Sequence, residues 1–240
     1  MLRHQEQPVA RQLSFVTTLL NNWYCHGPAN GEALINVLKY DPLLCKCFEQ
    51  SIQDFENQSL EAHTLRVIDN FLTRFNGKQS FFECNKDFLL LLALHDIGKP
   101  AAFAAGDRNL QGPKSLEIID QLTAIFPVSS TVLNKIKIII NGDIIGSYLN
   151  PFYAESLERT ISKYRKTCFN LRMPHRLFWP ALVTYYQCDA SAYRNLRNKV
   201  FVFRADGHAE YDSTGTRLLF QPEQEKMFLK LEKAVSITEY

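Results

Sequence analysis

Apolar residues recur at spacings of three and four through most of the chain, and this period predicts a mainly α-helical protein. We expect a helical bundle with a small C-terminal β-hairpin and a final helix. The predicted helices cover residues 8–24, two short stretches within 32–54, 59–75, a segment that stops near residue 100, 115–126, 130–140, 152–171, a segment that carries Asp189, and a last helix that opens at Pro222. Ser59 is the expected N-cap of the helix over 59–75.

Six consecutive apolar residues, 89–94, lead directly into His95 and Asp96. An unbroken apolar run of this length fits a buried helix or a buried strand. Gly98 and Pro100 favour a helix, with His95 and Asp96 in its last turn. Turn signals crowd residues 101–113, so we predict a loop there. Loops beside a reactive cluster commonly carry substrate contacts.

A buried imidazole next to a buried carboxylate is costly unless each has a partner. One interpretation of His95 and Asp96 is a hydrogen-bonded pair that caps the end of the helix. The other is a metal site, because neutral imidazole and carboxylate both bind divalent cations. The dipeptide taken alone favours the hydrogen-bonded pair.

The last forty residues change in character. Residues 200–203 are rich in β-branched and aromatic side chains, Asp206-Gly207 is a hairpin turn signal, and residues 216–220 offer a third short strand. The final helix carries Phe228, Leu231 and Val235 on one face. We interpret the hairpin as a packing or dimerisation element, with a lid near Asp189 as the alternative.

The charge balance differs between the whole chain and one segment of it. The 240 residues carry a formal charge of +2, which by itself predicts no polyanionic partner. Residues 159–204, however, hold ten cations and one acid, Asp189, a local charge of +9. This segment is either a solvated basic face or an electrostatic funnel for a phosphate-bearing substrate. Interleaved aromatics allow base stacking, although we expect most of them in the core.

The cysteine spacing and the hydropathy of the chain indicate in which cellular compartment the protein is located. Six cysteines occur without any Cys-x-x-Cys spacing, so we expect reduced thiols and a cytoplasmic protein. No apolar run approaches the roughly 18 residues of a membrane span. The N-terminus lacks the apolar core of a secretory signal. We therefore expect no membrane partner.

Three segments together resemble the HD superfamily of metal-dependent phosphohydrolases. These are residues 59–68 around His63, the His-Asp-Ile-Gly-Lys-Pro motif at 95–100, and residues 182–190 ending in Asp189. The resemblance covers roughly residues 55–195. It implies that the helical bundle is of the HD type and that His63, His95, Asp96 and Asp189 bind a metal. The predicted division is an N-terminal helical segment over 1–54, an HD domain over 55–199, and the hairpin with its helix over 200–240.

The chain departs from the two-metal members of this family, which carry further histidines on the next two helices. No histidine lies between Ile97 and His175, and Ser115 and Asn141 stand near the expected places. We therefore expect one divalent transition metal, Mn, Fe, Co, Ni or Zn, because imidazole ligands suit these ions. His175 follows Pro174 and is interpreted as a loop or helix-start residue, not a ligand. Asp143 is a candidate for assistance through a water.

The resemblance implies an enzyme that hydrolyses a nucleotide or a similar phosphate ester. Lys99, Asp96 and Arg66 are the candidate catalytic residues; Lys99, Arg66, Arg108 and Lys114 are the candidate substrate-binding cations. In related HD nucleotidases the Lys99 position is often acidic and works in proton transfer, so a lysine there favours phosphate binding. Asp96 or Asp143 is then the alternative base.

Two other functions remain open from the sequence. The central motif also resembles the HD domains attached to tRNA nucleotidyltransferases, which suggests a phosphodiesterase acting on cyclic nucleotides or RNA ends. A non-catalytic nucleotide-binding HD module is the rival outside enzymes. A phosphate-bearing small molecule is the expected partner, with RNA and a second copy of the chain as further candidates.

Overall fold

The computed structural model of the chain describes residues 6–52, 58–75, 77–79, 81–150, 155–193, 202–203, 209–210 and 222–236. This part of the protein is mainly helical, as predicted. The helices are α1 (Glu6–His26), α2 (Gly31–Leu38), α3 (Pro42–Glu49), α4 (Leu60–Arg74), α5 (Asn85–Leu94), α6 (Lys99–Ala104), α7 (Gln111–Gln121), α8 (Ser130–Gly142), α9 (Ile144–Leu149), α10 (Leu157–Leu171), α11 (His175–Ala190) and α12 (Pro222–Ser236), with 3₁₀ turns at Arg108–Leu110 and Thr123–Ile125.

The chain divides into two compact units. The first comprises Met1–Asp69 and Lys86–Asn141, and the second comprises Asn70–Asn85 and Gly142–Tyr240. In the first unit, α1 packs on α2 and on the Thr123–Ile125 turn, and α6 packs on α7. In the second unit, α9 packs on α10, α11 and α12.

The helix α5 is the buried element of the first unit. Every residue from Asp87 to Leu94 is buried, so this helix has no solvated face, as predicted for the apolar run. Its first turn is bonded to the end of α1. The ammonium group of Lys86 donates to the carbonyls of Trp23, Tyr24 and Gly27 at 2.7, 2.9 and 2.8 Å. The hydroxyl of Tyr24 donates to Asp87 at 2.6 Å.

Aromatic side chains fill the second unit around α10 and α11. Tyr164 is stacked on Phe178 with ring centroids 5.4 Å apart, and Trp179 packs against Phe228 of α12 at 5.7 Å. Phe228, Leu231 and Val235 are all buried, which confirms the predicted apolar face of the last helix.

The predicted cap at Ser59 agrees with the structure. The hydroxyl of Ser59 accepts a hydrogen bond from the amide of Ala62, at the start of α4. The carboxylate of Asp41 accepts from the amides of Leu43 and Leu44 and separates α2 from α3. The interrupted pair of short helices over residues 32–54 is thus confirmed where the structure describes it.

Two predictions about the elements around the His-Asp motif are wrong, and one helix was missed. The helix α5 ends at Leu94, so His95 and Asp96 lie in the turn after it and not in its last helical turn. The predicted loop over 101–113 is largely helical, because α6 and the start of α7 occupy it. Pro100 and Pro113 lie in the first turns of these helices, where a missing N–H costs nothing. The short helix α9 was not predicted.

The C-terminal β-hairpin is not established. Val202–Phe203 and Ala209–Glu210 pair antiparallel over two residues each, and the predicted turn and third strand lie outside the described residues. The predicted three-part division of the chain stays a prediction. All six cysteines are free thiols. Among the described residues, none of the helices is long and apolar enough to span a membrane.

Candidate metal centre

His63 lies in the first turns of α4, a position that the cap at Ser59 fixes. The amide of His63 donates to the carbonyl of Ser59 at 3.1 Å, which begins the regular hydrogen bonding of the helix. The side chain of His63 is fully buried. The prediction that His63 belongs to the helix before the His-Asp motif is therefore confirmed.

His95 and Asp96 lie in the tight turn that joins α5 to α6. The amide of Ile97 donates to the carbonyl of Leu94 at 3.4 Å, and the amide of Lys99 donates to the carbonyl of Asp96 at 2.8 Å. Both side chains are only 2% exposed or less. The short turn therefore holds an imidazole and a carboxylate together away from water.

A backbone contact fixes the tautomer of His95. Its Nδ1 lies 2.7 Å from the carbonyl oxygen of Leu92, in buried surroundings. A carbonyl only accepts, so Nδ1 carries the proton and the neutral ring presents a lone pair at Nε2. Such a backbone hydrogen bond is the usual device that orients a metal-binding histidine.

The Asp96 carboxylate is the centre of the cluster. Its Oδ2 accepts a hydrogen bond from the ammonium of Lys99 at 2.8 Å. The same oxygen lies 3.4 Å from Nε2 of His63 and 3.5 Å from Nε2 of His95. The side-chain amide of Gln111 donates to the other oxygen, Oδ1.

Asp189 completes the group from the last turn of α11. One ligand atom from each of His63, His95, Asp96 and Asp189 can be chosen so that all four lie within 4.8 Å of one another. Three of these residues are buried and Asp189 is half-buried. The neighbouring Cys188 is held by α4, since Asn70 donates to its carbonyl at 3.0 Å.

The groups beside Asp189 stay protonated. Burial, with the Asp189 carboxylate adding to it, raises the pKa of the Cys188 thiol well above its ordinary value. Burial and the nearby carboxylates of Asp189 and Asp143 likewise raise the pKa of Tyr186. Cys188 is not one of the four residues that form the cluster.

The donor set fits a divalent transition metal. Nε2 of His63 and Nε2 of His95 lie 3.4 and 3.5 Å from Oδ2 of Asp96, so two nitrogen ligands and an oxygen ligand face one another. A divalent cation binds both kinds of atom. Two imidazoles and two carboxylates are ligands that Mn, Fe, Co, Ni and Zn all accept. A buried His/Asp group that could hold a metal is therefore present, and the identity of the metal is open.

The predicted substrate cations are placed differently from one another. Lys99 lies at the cluster, bonded to Asp96 and 12% exposed. Arg66 lies one helical turn after His63 on α4 and is half-buried. Arg108 lies over the ring of Phe103 at 5.1 Å, and Lys114 pairs with Glu117 at 2.8 Å. The assignment of these four residues to substrate stays a prediction.

Two residues around the His-Asp turn were not predicted in their observed roles. Ser115 stands where a second-metal histidine was sought, but its hydroxyl accepts from the amide of Gly98 at 3.0 Å and donates to the carbonyl of His95 at 3.4 Å. Gln111 was assigned to the predicted loop, and its contact with Asp96 follows from the helix that replaces that loop. His175 begins α11, as predicted, and bonds to Tyr164.

Comparison with known proteins assigns the chain to no family. Neither a family model, nor a curated protein, nor a solved structure matches the chain. The resemblance to HD proteins therefore depends on the motif residues and on the geometry of the cluster.

Proposed function

We propose that this protein is an HD-type, metal-dependent phosphohydrolase that acts on a nucleotide or a similar phosphate ester. One observation carries the proposal: ligand atoms of His63, His95, Asp96 and Asp189, up to 126 residues apart in sequence, lie within 4.8 Å of one another. These are the four residues that match the HD pattern. A hydrogen-bonded cap at the end of a helix would require only His95 and Asp96.

The four residues would hold one divalent transition metal. When bound, such an ion supplies Lewis-acid stabilisation of a phosphate oxygen and lowers the pKa of a coordinated water. His95 contributes a lone pair whose direction is set by the carbonyl of Leu92, at 2.7 Å from Nδ1. The chain thus provides a preorganised set of four ligands, of which three are buried and Asp189 is half-buried.

Lys99 is the proposed phosphate-binding cation because of the charge balance at the metal centre. The two carboxylates cancel the charge of a divalent ion, so a phosphate needs further cations to bind. Lys99 contacts the cluster through its ion pair with Asp96 at 2.8 Å and is partly exposed. An ammonium has three donors, so one group can pair with a carboxylate and bind an anion as well. Arg66, one turn from His63, is the second candidate.

The cellular setting belongs to the same proposal. Six free thiols favour a reducing compartment, in which a nucleotide substrate is also abundant. We therefore propose a cytoplasmic enzyme. RNA ends and cyclic nucleotides are the alternative substrates, and a nucleotide-binding module without turnover is the alternative function.

Metal content and turnover test the proposal together. Purified protein is expected to contain about one transition metal per chain by elemental analysis. It should release phosphate from members of a nucleotide and phosphodiester panel with Mn, Co, Ni or Zn added, and chelation should lower its melting temperature by linkage. The matched control is exposed His26→Ala, which should keep metal and activity, whereas His63→Ala should lose both.

Each outcome has a defined meaning. Cleavage of diesters alone assigns the phosphodiesterase alternative. Metal uptake and nucleotide binding without turnover assigns the binding module. A protein that takes up no metal, and whose melting curve is unchanged by chelation, contradicts the proposal.

A further inference from the structure

The two oxygens of Asp96 have different partners. Oδ2 accepts from Lys99 and is the oxygen near both histidines, at 3.4 Å from His63 and 3.5 Å from His95. Oδ1 accepts from the side-chain amide of Gln111. Asp96 is 2% exposed, so bulk water does not solvate Oδ1 and the Gln111 amide supplies its hydrogen bond.

A close backbone approach places Gln111. The first turn of α7 lies directly on Gly98, where an added Cβ would be 2.2 Å from the amide nitrogen of Ser115 and 2.6 Å from the carbonyl oxygen of Gln111. The hydroxyl of Ser115 bonds to the amide of Gly98 at 3.0 Å and contacts the carbonyl of His95. The turn that carries His95 and Asp96 is thereby fastened to the helix that carries Gln111.

We infer that Gln111 is a positioning residue for the metal centre: its amide holds Oδ1 of Asp96 and directs Oδ2 alone toward the histidines. This inference rests on the proposed function. Without the amide, Oδ1 loses a hydrogen bond that resists rotation of the carboxylate about its terminal torsion, so the second oxygen can turn toward the histidines. Hydrogen bonds to the ligands of a metal commonly change its affinity by about ten- to hundredfold.

Gln111 and Lys99 act on Asp96 in different ways, because one side chain is neutral and the other is charged. Gln111 is neutral, so it orients the carboxylate without adding to the positive charge beside the metal. Lys99 adds charge and bonds to the same oxygen that faces the histidines. Gln111 therefore controls geometry, whereas Lys99 controls electrostatics.

The test uses Gln111→Leu, which keeps the size of the side chain and removes the donor, and Gln111→Met as a second variant of different shape. Gln121→Leu, an exposed position at the other end of α7, is the matched control. Co²⁺ is the probe. Its dissociation constant is measured by competition with a chromophoric chelator, and its visible spectrum reports the ligands around it. The melting temperature of each metal-free protein is recorded in parallel.

Both Gln111 variants are expected to bind Co²⁺ about ten- to hundredfold more weakly than wild type. Their Co²⁺ spectrum should differ from that of wild type, while Gln121→Leu matches wild type in both. A merely structural hydrogen bond would lower the melting temperature and leave the dissociation constant and spectrum unchanged, and that result overturns the inference. Wild-type protein that binds no Co²⁺ contradicts the proposed function itself.

Discussion

Nδ1 of His95 lies 2.7 Å from the carbonyl oxygen of Leu92, so the ring is fixed with its second nitrogen toward Asp96. The two nitrogens therefore have separate tasks, one structural and one for the metal. Substitution can separate these tasks. The amide nitrogen of an asparagine lies near the position of Nδ1, and an asparagine has no atom near that of Nε2.

His95→Asn should keep the fold and lose the metal. The asparagine amide can still donate to the carbonyl of Leu92, so we expect the metal-free variant to melt within a few degrees of metal-free wild type. Metal affinity should fall because the Nε2 ligand is gone. Elemental analysis and thermal melts with and without chelator measure both effects. A variant that retains full metal content would exclude His95 as a ligand.

Lys99→Met should reduce turnover while the protein still binds metal at saturation. The substitution removes the ammonium that pairs with Asp96 but none of the four proposed ligands. The loss is expected to be that of a charge-assisted hydrogen bond, about 1.5–3 kcal/mol, or about ten- to more than hundredfold in rate. Lys137→Met, which breaks a surface ion pair with Asp120, is the matched control. Wild-type rates in the Lys99 variant would shift the phosphate-holding role to Arg66.

Gly98→Ala should be costly for a steric reason. The new methyl group would meet backbone atoms of α7 at 2.2 and 2.6 Å, and backbone cannot move aside as a side chain can. We expect the free energy of unfolding to fall by about 3 kcal/mol or more. Metal binding should be lost as well. Urea denaturation and Co²⁺ titration measure the two losses.

Gly106→Ala is the comparison for that variant. Gly106 has a φ of +72° with open space around it, so alanine there costs only the strain of the left-handed region, about 1–2 kcal/mol. Metal binding should be unaffected. Equal effects of the two substitutions would contradict the close approach of α7 to Gly98.

The stability of the protein should fall in mild acid because of His175. Burial lowers the pKa of His175 below its ordinary value of 6.5. As the pH falls below about this value, the unfolded chain takes up a proton that the folded protein resists, so the free energy of unfolding decreases. His175→Phe, which keeps an aromatic ring against Trp179, should show a shallower decrease.

Urea midpoints between pH 7.5 and 5.5, in the presence of chelator, measure this slope for both proteins. The exposed His26→Gln serves as control and should follow wild type. An identical pH dependence in wild type and His175→Phe would show that His175 does not titrate in this range.

Apolar spacing and capping residues, which act over a few neighbouring positions, correctly predicted several helices. The spacing of apolar residues and the cap at Ser59 predicted α4. The unbroken run at 89–94, followed by the stop signals Gly98 and Pro100, predicted the buried α5. The predicted loop over 101–113 is wrong because a proline can begin a helix as well as end one. Pro113 lies in the first turn of α7.

The metal centre itself is a long-range feature. Asp189 follows His95 by 94 residues, and no period or spacing connects them; only the resemblance to a family grouped them in advance. The contact of Gln111 with Asp96 was missed for a related reason. It requires α7 to dock on Gly98, and that docking depends on a tertiary contact which the sequence pattern does not contain.

The bonds at the start of α5 have an effect at its other end. Lys86 and Asp87 fix the rotation of the helix about its own axis against Trp23 and Tyr24 of α1. Each residue turns an α-helix by about 100°, so moving these two contacts by one residue would rotate α5 by that angle and reorient His95, which directly follows it. The direction of a proposed metal ligand thus depends on contacts roughly 13 Å away along the helix axis. The side chains that make these contacts are not part of the metal centre.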